Sequence, residues 1–258
     1  MKLFFRHYGK GKPVIILHGL FGMSDNWVTM AKRIAENNFH VIVPDLRNHG
    51  QSPHSEEWDY ASMSRDVFEL MAAEKIIQPV LIGHSMGGKV AMQMVSEHQE
   101  KFSGVVVVDI APKAFPVMHG EILSALNVLS KQIPFARIKA EDFLFRRISD
   151  PATVKFLLKN LYWKTGDDGK IFLWWRFNLK TITKKISNIG QEILFPKPIK
   201  IPSLFIRGER SDYITDDDFT FIKNHFRGAK LVTINNSGHW VHAENPDEFL
   251  LSVLKFLH

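Results

Sequence analysis

Six runs, at 14–17, 41–44, 80–82, 105–108, 203–206 and 230–234, are built almost entirely from Val, Ile, Leu and Phe. Runs that are apolar at every position, rather than at every second one, predict strands buried on both faces. They point to a mostly parallel central sheet flanked by helices, an α/β fold class. Amphipathic spacing between the runs predicts helices over about 27–36, 60–75, 86–97 and 246–256. The last has a legible start, with Asn245 as N-cap, Pro246 at the first helical position and Glu248 at the third. Residues 114–196 break this rhythm. They contain no run of the core type and are rich in Phe, Trp, Leu and Lys, and Pro196, Pro198 and Pro202 punctuate the return. The expected organisation is therefore a core of 1–113 and 197–258, with 114–196 inserted into it. Internal repeats and low-complexity tracts are absent from the sequence.

A chain of 258 residues suits one large α/β domain, which buries roughly 70–75% of its unfolded surface. There is no cysteine, which excludes disulfides, thiolate chemistry and zinc–thiolate sites and is compatible with a reducing compartment. The first apolar residues are interrupted at Arg6 and His7, too early for a secretory h-region. No stretch has the length of a membrane span. The expectation is a soluble cytoplasmic protein.

Charge is distributed unevenly. Residues 114–196 hold 13 Lys and Arg against 7 Asp and Glu, so they carry the whole formal net charge of +6, and the remainder is balanced at 20 against 20. Solvated helix faces account for this; a positive rim attracting an anionic leaving group such as coenzyme A is the functional alternative. Nucleic acid is not an expected partner, because no recognition fold or basic–aromatic repeat accompanies the charge.

The most informative stretch is Gly83-His84-Ser85-Met86-Gly87, which closes the apolar run 80–82 and opens a helix. A serine between two glycines at a strand-to-helix corner forms a nucleophile elbow, where bulkier neighbours would clash. The following helix N-terminus favours negative charge developing at that hydroxyl. His239, after the run 230–234, is the candidate base. For the acid there are two candidates. Asp212 follows the run 203–206 and completes a Ser85–Asp212–His239 chain order. Asp109 ends the run 105–108 in Val108-Asp109-Ile110-Ala111-Pro112. Asp212 is preferred, although it could instead belong with Asp216, Asp217 and Asp218 to an acidic helical turn capped by Thr215. The Gly-rich stretch His18-Gly19-Leu20-Phe21-Gly22 follows the first run. The N–H groups of Leu20 and Met86 are the expected oxyanion donors, with Phe21 a weaker candidate than Leu20. Ordinary structural roles stand beside each assignment: a turn serine, a packed core histidine, a loop-shaping Arg47-Asn48-His49-Gly50.

Those motifs, with Asp45-Leu46-Arg47-Asn48-His49-Gly50-Gln51-Ser52, Gly88-Lys89, Trp175-Arg176-Phe177-Asn178 and Gly238-His239-Trp240-Val241-His242-Ala243-Glu244, make the chain resemble the α/β-hydrolase superfamily over its whole length. Within it, the chain is similar to the small esterases and thioesterases of the YbfF and abhydrolase-domain 11 type. The resemblance implies that 114–196 is a helical cap over the active site. It strengthens Asp109 as acid, since that subgroup keeps the Asp-Ile-Ala-Pro pattern. The implied function is a serine hydrolase cleaving carboxylic esters, with acyl thioesters such as acyl-CoA as the next class, through an acyl-enzyme on Ser85. Phe21, Trp175, Phe177 and Trp240 are candidate pocket residues, although Trp175 and Phe177 fit cap core better than pocket lining. Nothing in the sequence asks for a metal or organic cofactor. The expected partner is a small-molecule acyl ester or thioester, and the chain is expected to be a monomer or homodimer. Dehalogenases and epoxide hydrolases of this fold use an aspartate nucleophile, which Ser85 disfavours. Lyases and carbon–carbon bond hydrolases of the fold remain an alternative if Arg47, Arg146, Arg147 or Arg176 faces the pocket. A ligand receptor retaining the triad without turnover is the non-enzymatic one.

Overall fold

The computed structural model describes residues 1–116, 119–131, 136–166 and 168–258. All six apolar runs are strands of one seven-stranded sheet: β2 (Lys12–Leu17), β3 (Phe39–Pro44), β4 (Val80–His84), β5 (Gly104–Val108), β8 (Ser203–Gly208) and β9 (Lys230–Ile234). These six pair in parallel. The seventh strand, β1 (Phe5–Tyr8), pairs antiparallel with β3, giving the order β1-β3-β2-β4-β5-β8-β9. The sequence reading did not include β1. It is short, lies at the sheet edge and interleaves Arg6 and His7 with its apolar residues, so it carries no continuous run.

Alternation along each strand shows why the runs are apolar throughout. Val14, Ile16, Val41, Val43, Val106 and Val108 face one buried layer. Ile15, Leu17, Ile42, Val105 and Val107 face the other. The first layer is closed by α1 (Val28–Ala35) and α10 (Pro246–Leu257), through Met30, Ile34, Phe249 and Val253. The second is closed by α2 (Tyr60–Ala73) and α3 (Met86–His98), through Met63, Val67, Val90 and Met94. A strand covered on both faces has no solvated side to supply polar positions. The α10 start is as expected, with Asn245 Oδ1 accepting from Glu248 N–H at 3.4 Å and Pro246 in the first turn.

Between β5 and β8 the chain leaves the sheet and builds α4 (Gly120–Ser130), α5 (Arg137–Phe145), α6 (Pro151–Leu158), a hairpin of β6 (Leu161–Thr165) and β7 (Ile171–Trp175), and α7 (Leu179–Lys185), followed by a 3-10 turn at Ile186–Gly190. The expectation for this interval was helices alone. The hairpin escaped it because its burial alternates, with Leu173 and Trp175 inward and Phe172 and Trp174 half-exposed; such a pattern lacks the run that marks a core strand. The helix α8 (Asp216–His225) and the single turn α9 (Val241–Glu244) complete the molecule. Among the described residues, no helix is long and apolar enough to cross a membrane.

Candidate active site

The turn from β4 into α3 holds Ser85 at φ 52°, ψ −119°, a backbone region that L side chains rarely adopt and that persists only where surrounding structure enforces it. Two glycines permit the tight corner. A Cβ on Gly83 would lie 2.3 Å from the Gly87 carbonyl oxygen, and one on Gly87 would lie 2.3 Å from that of Leu17. The corner is tied to the next strand by Ser85 N–H donating to the Val108 carbonyl at 2.9 Å. It leaves the hydroxyl half-exposed at the carboxyl edge of the sheet, at the start of α3.

His239 and Asp109 meet Ser85 there. His239 Nε2 is 3.0 Å from Ser85 Oγ, and His239 Nδ1 is 2.7 Å from Asp109 Oδ2. Because a carboxylate only accepts, Nδ1 carries the ring proton and Nε2 is left to accept from the serine hydroxyl. Asp109 ends β5 with φ 53° and is fully buried. Its carboxylate also accepts from Gly208 N–H at 3.0 Å and from Ser211 Oγ–H at 2.5 Å. Three donors compensate a buried charge that would otherwise be costly.

Asp212 is thereby corrected as the preferred partner of His239. It is exposed, and no hydrogen bond joins it to His239 among the described residues. The loop that was expected to supply the acid supplies its supports instead. Gly208 N–H and Ser211 Oγ–H hold Asp109, and the Tyr213 ring stacks on His239 with centroids 4.2 Å apart. The acidic turn is real but excludes Asp212: Thr215 caps α8, accepting from Asp218 N–H at 3.2 Å, and only Asp216, Asp217 and Asp218 lie in its first turn.

His239 itself is held through its backbone. Glu244 accepts from the N–H groups on either side of it, Gly238 at 2.9 Å and Trp240 at 3.1 Å. His84 Nε2–H donates to the His239 carbonyl at 2.8 Å. Burial pushes the His84 pKa well below the ordinary imidazole value, with His239 and His242 adding to the shift, so this ring is a neutral donor. His242 is fully desolvated, pushed down to about 3, and stacks on Trp27 at 4.0 Å; it packs in the core. Ser211, Tyr213 and the roles of His84 and Glu244 were not legible in advance, since each acts through a contact made only by the folded loops.

The Gly-rich loop after β2 is fixed from both sides. His18 Nε2 accepts from Leu46 N–H at 2.9 Å, so its Nδ1–H donates to the Gly19 carbonyl at 2.8 Å. Desolvation lowers the His18 pKa to about 4, keeping it neutral. From the excursion, buried Asn160 Nδ2 donates to the Phe21 carbonyl at 2.9 Å. Leu20 and Met86 line a cavity with Ser85, and the N–H groups of Leu20, Phe21 and Met86 have no acceptor among the described residues.

A second cavity of about 390 Å³ adjoins Ser85 and His239, with Phe21, Phe156, Leu157 and Trp240 in its walls. Trp175 and Phe177 do not line it, which corrects their expected place. Both are buried: Trp175 stacks on Phe177 at 5.2 Å, and Phe177 backs Phe21 at 4.9 Å. The alternation that turns Leu173 and Trp175 inward on β7 continues past its end to Phe177. No arginine lines either cavity among the described residues. Arg47 is buried against Asp66, with Nε 2.6 Å from Oδ2 and Nη2 2.9 Å from Oδ1, while Arg147 and Arg176 lie over the rings of Phe143 and Tyr162.

A family model described as the alpha/beta hydrolase fold matches residues 12–246. The sn-1-specific diacylglycerol lipase ABHD11 of Danio rerio is 36% identical over 256 residues, covering 96% of this chain and 79% of that protein. Esterase YbfF of Escherichia coli K12 is 32% identical over 246 residues, covering 95% of this chain and 92% of the relative. A solved structure titled marine microorganism esterase superposes with a TM-score of 0.94 at 40% identity, covering 99% of both chains.

Proposed function

This chain belongs to the α/β-hydrolase family, and from that premise we propose that it is a serine esterase cleaving carboxylic esters through an acyl-enzyme on Ser85. Acyl thioesters form the second substrate class. The observation that carries the reading is the unbroken hydrogen-bonded line Ser85 Oγ, His239 Nε2, His239 Nδ1, Asp109 Oδ2, with distances of 3.0 and 2.7 Å.

In the proposed cycle His239 Nε2 takes the hydroxyl proton as Ser85 Oγ bonds to the carbonyl carbon. Asp109 keeps the proton on Nδ1 and stabilises the imidazolium without being protonated itself. The carbonyl oxygen gains the electron pair and faces the N–H groups of Met86 and Leu20, each such donor being typically worth about 10²–10³ in rate. The imidazolium then protonates the leaving oxygen or sulfur; water, deprotonated by the same nitrogen, bonds to the acyl carbon, and as the bond to Ser85 Oγ breaks His239 Nε2 returns the proton to Oγ and the acid leaves. The excursion over the site serves as a cap, its Phe156 and Leu157 walling the cavity beside His239. The relatives' names, a lipase and esterases, support ester cleavage. Among the described residues none of Arg47, Arg146, Arg147 and Arg176 lines either cavity, which speaks against the lyase and carbon–carbon hydrolase alternatives that would use one of them.

The test is covalent labelling by a fluorophosphonate together with turnover of p-nitrophenyl acetate. The reading predicts a labelled protein with many turnovers, and loss of both in Ser85→Ala. Undiminished labelling of that variant would remove Ser85 as nucleophile, and a single turnover would favour the receptor.

A further inference from the structure

Ser85 stands between two chambers of very unequal size. One holds about 40 Å³ and is walled by Met86, Tyr60, Phe115, Ile186 and Ile189. The other holds about 390 Å³ and contains His239 and Trp240. Met86 lines only the small chamber and His239 only the large one.

Proton delivery decides which substrate half goes where. When the tetrahedral intermediate collapses, the bond from carbon to the leaving oxygen breaks, its electron pair stays on that oxygen, and the proton on His239 Nε2 neutralises it. The leaving oxygen must therefore lie within hydrogen-bond reach of Nε2, on the side of the large chamber. The acyl chain is the remaining substituent on that carbon, and it is directed away from His239, into the chamber of Met86.

The wall of that small chamber is unusually well fastened. The carbonyls of Ile189, Gly190 and Gln191 accept, in turn, from Tyr60 Oη–H at 2.6 Å, from Phe115 N–H at 2.7 Å and from the Lys89 ammonium. Asn188 Nδ2 donates to the Trp58 carbonyl at 2.9 Å, and Ile193 N–H to that of Pro112 at 2.8 Å. Lys89 is itself buried; its Nζ also donates to the Lys113 carbonyl at 2.8 Å and lies 5.0 Å from the centre of the Phe115 ring. Residues 188–193 are thus pinned to α2, α3 and the segment after β5, so the chamber cannot widen without breaking several hydrogen bonds.

We propose, resting on the serine-esterase reading, that the small chamber is the acyl subsite and restricts the enzyme to esters and thioesters of short, unbranched acids, with Ile186 and Ile189 setting the length limit. By the same measure the large chamber is nearly ten times roomier, about 390 against 40 Å³. The large chamber tolerates bulky alcohols.

Two substrate series test this. With p-nitrophenyl esters of lengthening acids, kcat/KM should hold for the shortest acyl groups. It should then fall by about tenfold or more for each methylene that the wall rejects. With acetates of progressively larger alcohols it should change little. Ile189→Ala and, as an independent variant, Ile186→Ala should move the break to longer acids, read as the ratio of kcat/KM for each longer ester to that for p-nitrophenyl acetate in the same variant. A flat acyl series, or a break that moves in neither variant, overturns the assignment while fluorophosphonate labelling of Ser85 leaves the esterase reading standing. Absence of labelling brings down both.

Discussion

On the proposed serine-esterase reading, the parallel-sheet core and the 114–196 excursion divide the site between chemistry and shape. Ser85, Asp109 and His239 all stand just beyond the carboxyl ends of core strands β4, β5 and β9, where loops of an open parallel sheet converge. The excursion contributes none of the three; it contributes walls, with Ile186 and Ile189 on one side of Ser85 and Phe156 and Leu157 on the other. The core is neutral and the excursion carries +6. A sheet pinned on both faces can hold reacting atoms to within tenths of an ångström. A layer laid over it can change size without disturbing them, and this division teaches where activity and specificity should separate under mutation.

The largest effect should come from the core. His239→Ala should lower kcat on p-nitrophenyl acetate by about 10⁶, as expected when residues act as a unit, with an unchanged circular dichroism spectrum. A variant within tenfold of wild type would break the division at its centre. The excursion should answer differently. Trp175→Ala removes a fully buried indole stacked on Phe177 and should cost about 3–5 kcal/mol of stability, read by denaturant titration, while kcat of the folded fraction stays close to wild type. A comparable loss in kcat would mean that the hairpin positions reacting atoms.

A pH series sharpens the contrast on the core side. Burial lowers the pKa of His18 to about 4 and those of His49 and His242 to about 3. All three are neutral in the fold, while in the unfolded chain they titrate near their usual 6.5. Below that pH the unfolded state binds protons that the fold refuses. Stability is therefore held above pH 6.5 and lost as pH falls, by up to about 1.4 kcal/mol per imidazole per pH unit down to the folded pKa. Thermal melts at pH 7 and 4.5 should differ clearly; equal midpoints would contradict neutral burial.

The smallest effect concerns charge on the excursion. If its basic surface, including exposed Lys155 on α6 and Lys159 just after it, attracts anionic thioesters, kcat/KM for acetyl-CoA should fall with added salt while p-nitrophenyl acetate changes little. Equal sensitivity would leave a solvated surface and nothing more.

Legibility followed the same boundary. Strands buried on both faces advertise themselves as unbroken apolar runs, and the elbow is a local motif, so six of the seven sheet strands and the Ser85 corner could be read along the chain, as could the place of His239 beyond the last strand. The hairpin at β6 and β7 could not, because a half-buried strand has no such run. Nor could the choice of acid. Asp109 and Asp212 both follow core strands, and only the folded loop shows that residues 208–213 offer Gly208 N–H, Ser211 and the Tyr213 ring to the site while Asp212 faces solvent. Trp175 and Phe177 suited packing better than pocket on sequence grounds, and both are buried in the folded chain.

The central claim is that Asp109, not Asp212, orients His239, and paired substitution tests it most directly. Asp109→Asn should lower kcat by about 10⁴, by favouring the wrong His239 tautomer, with fold and solubility verified by circular dichroism. Asp212→Asn, altering an exposed side chain with no bond to the histidine, should remain within a few-fold of wild type. The reverse pattern, with Asp212→Asn collapsed and Asp109→Asn active, would contradict the account.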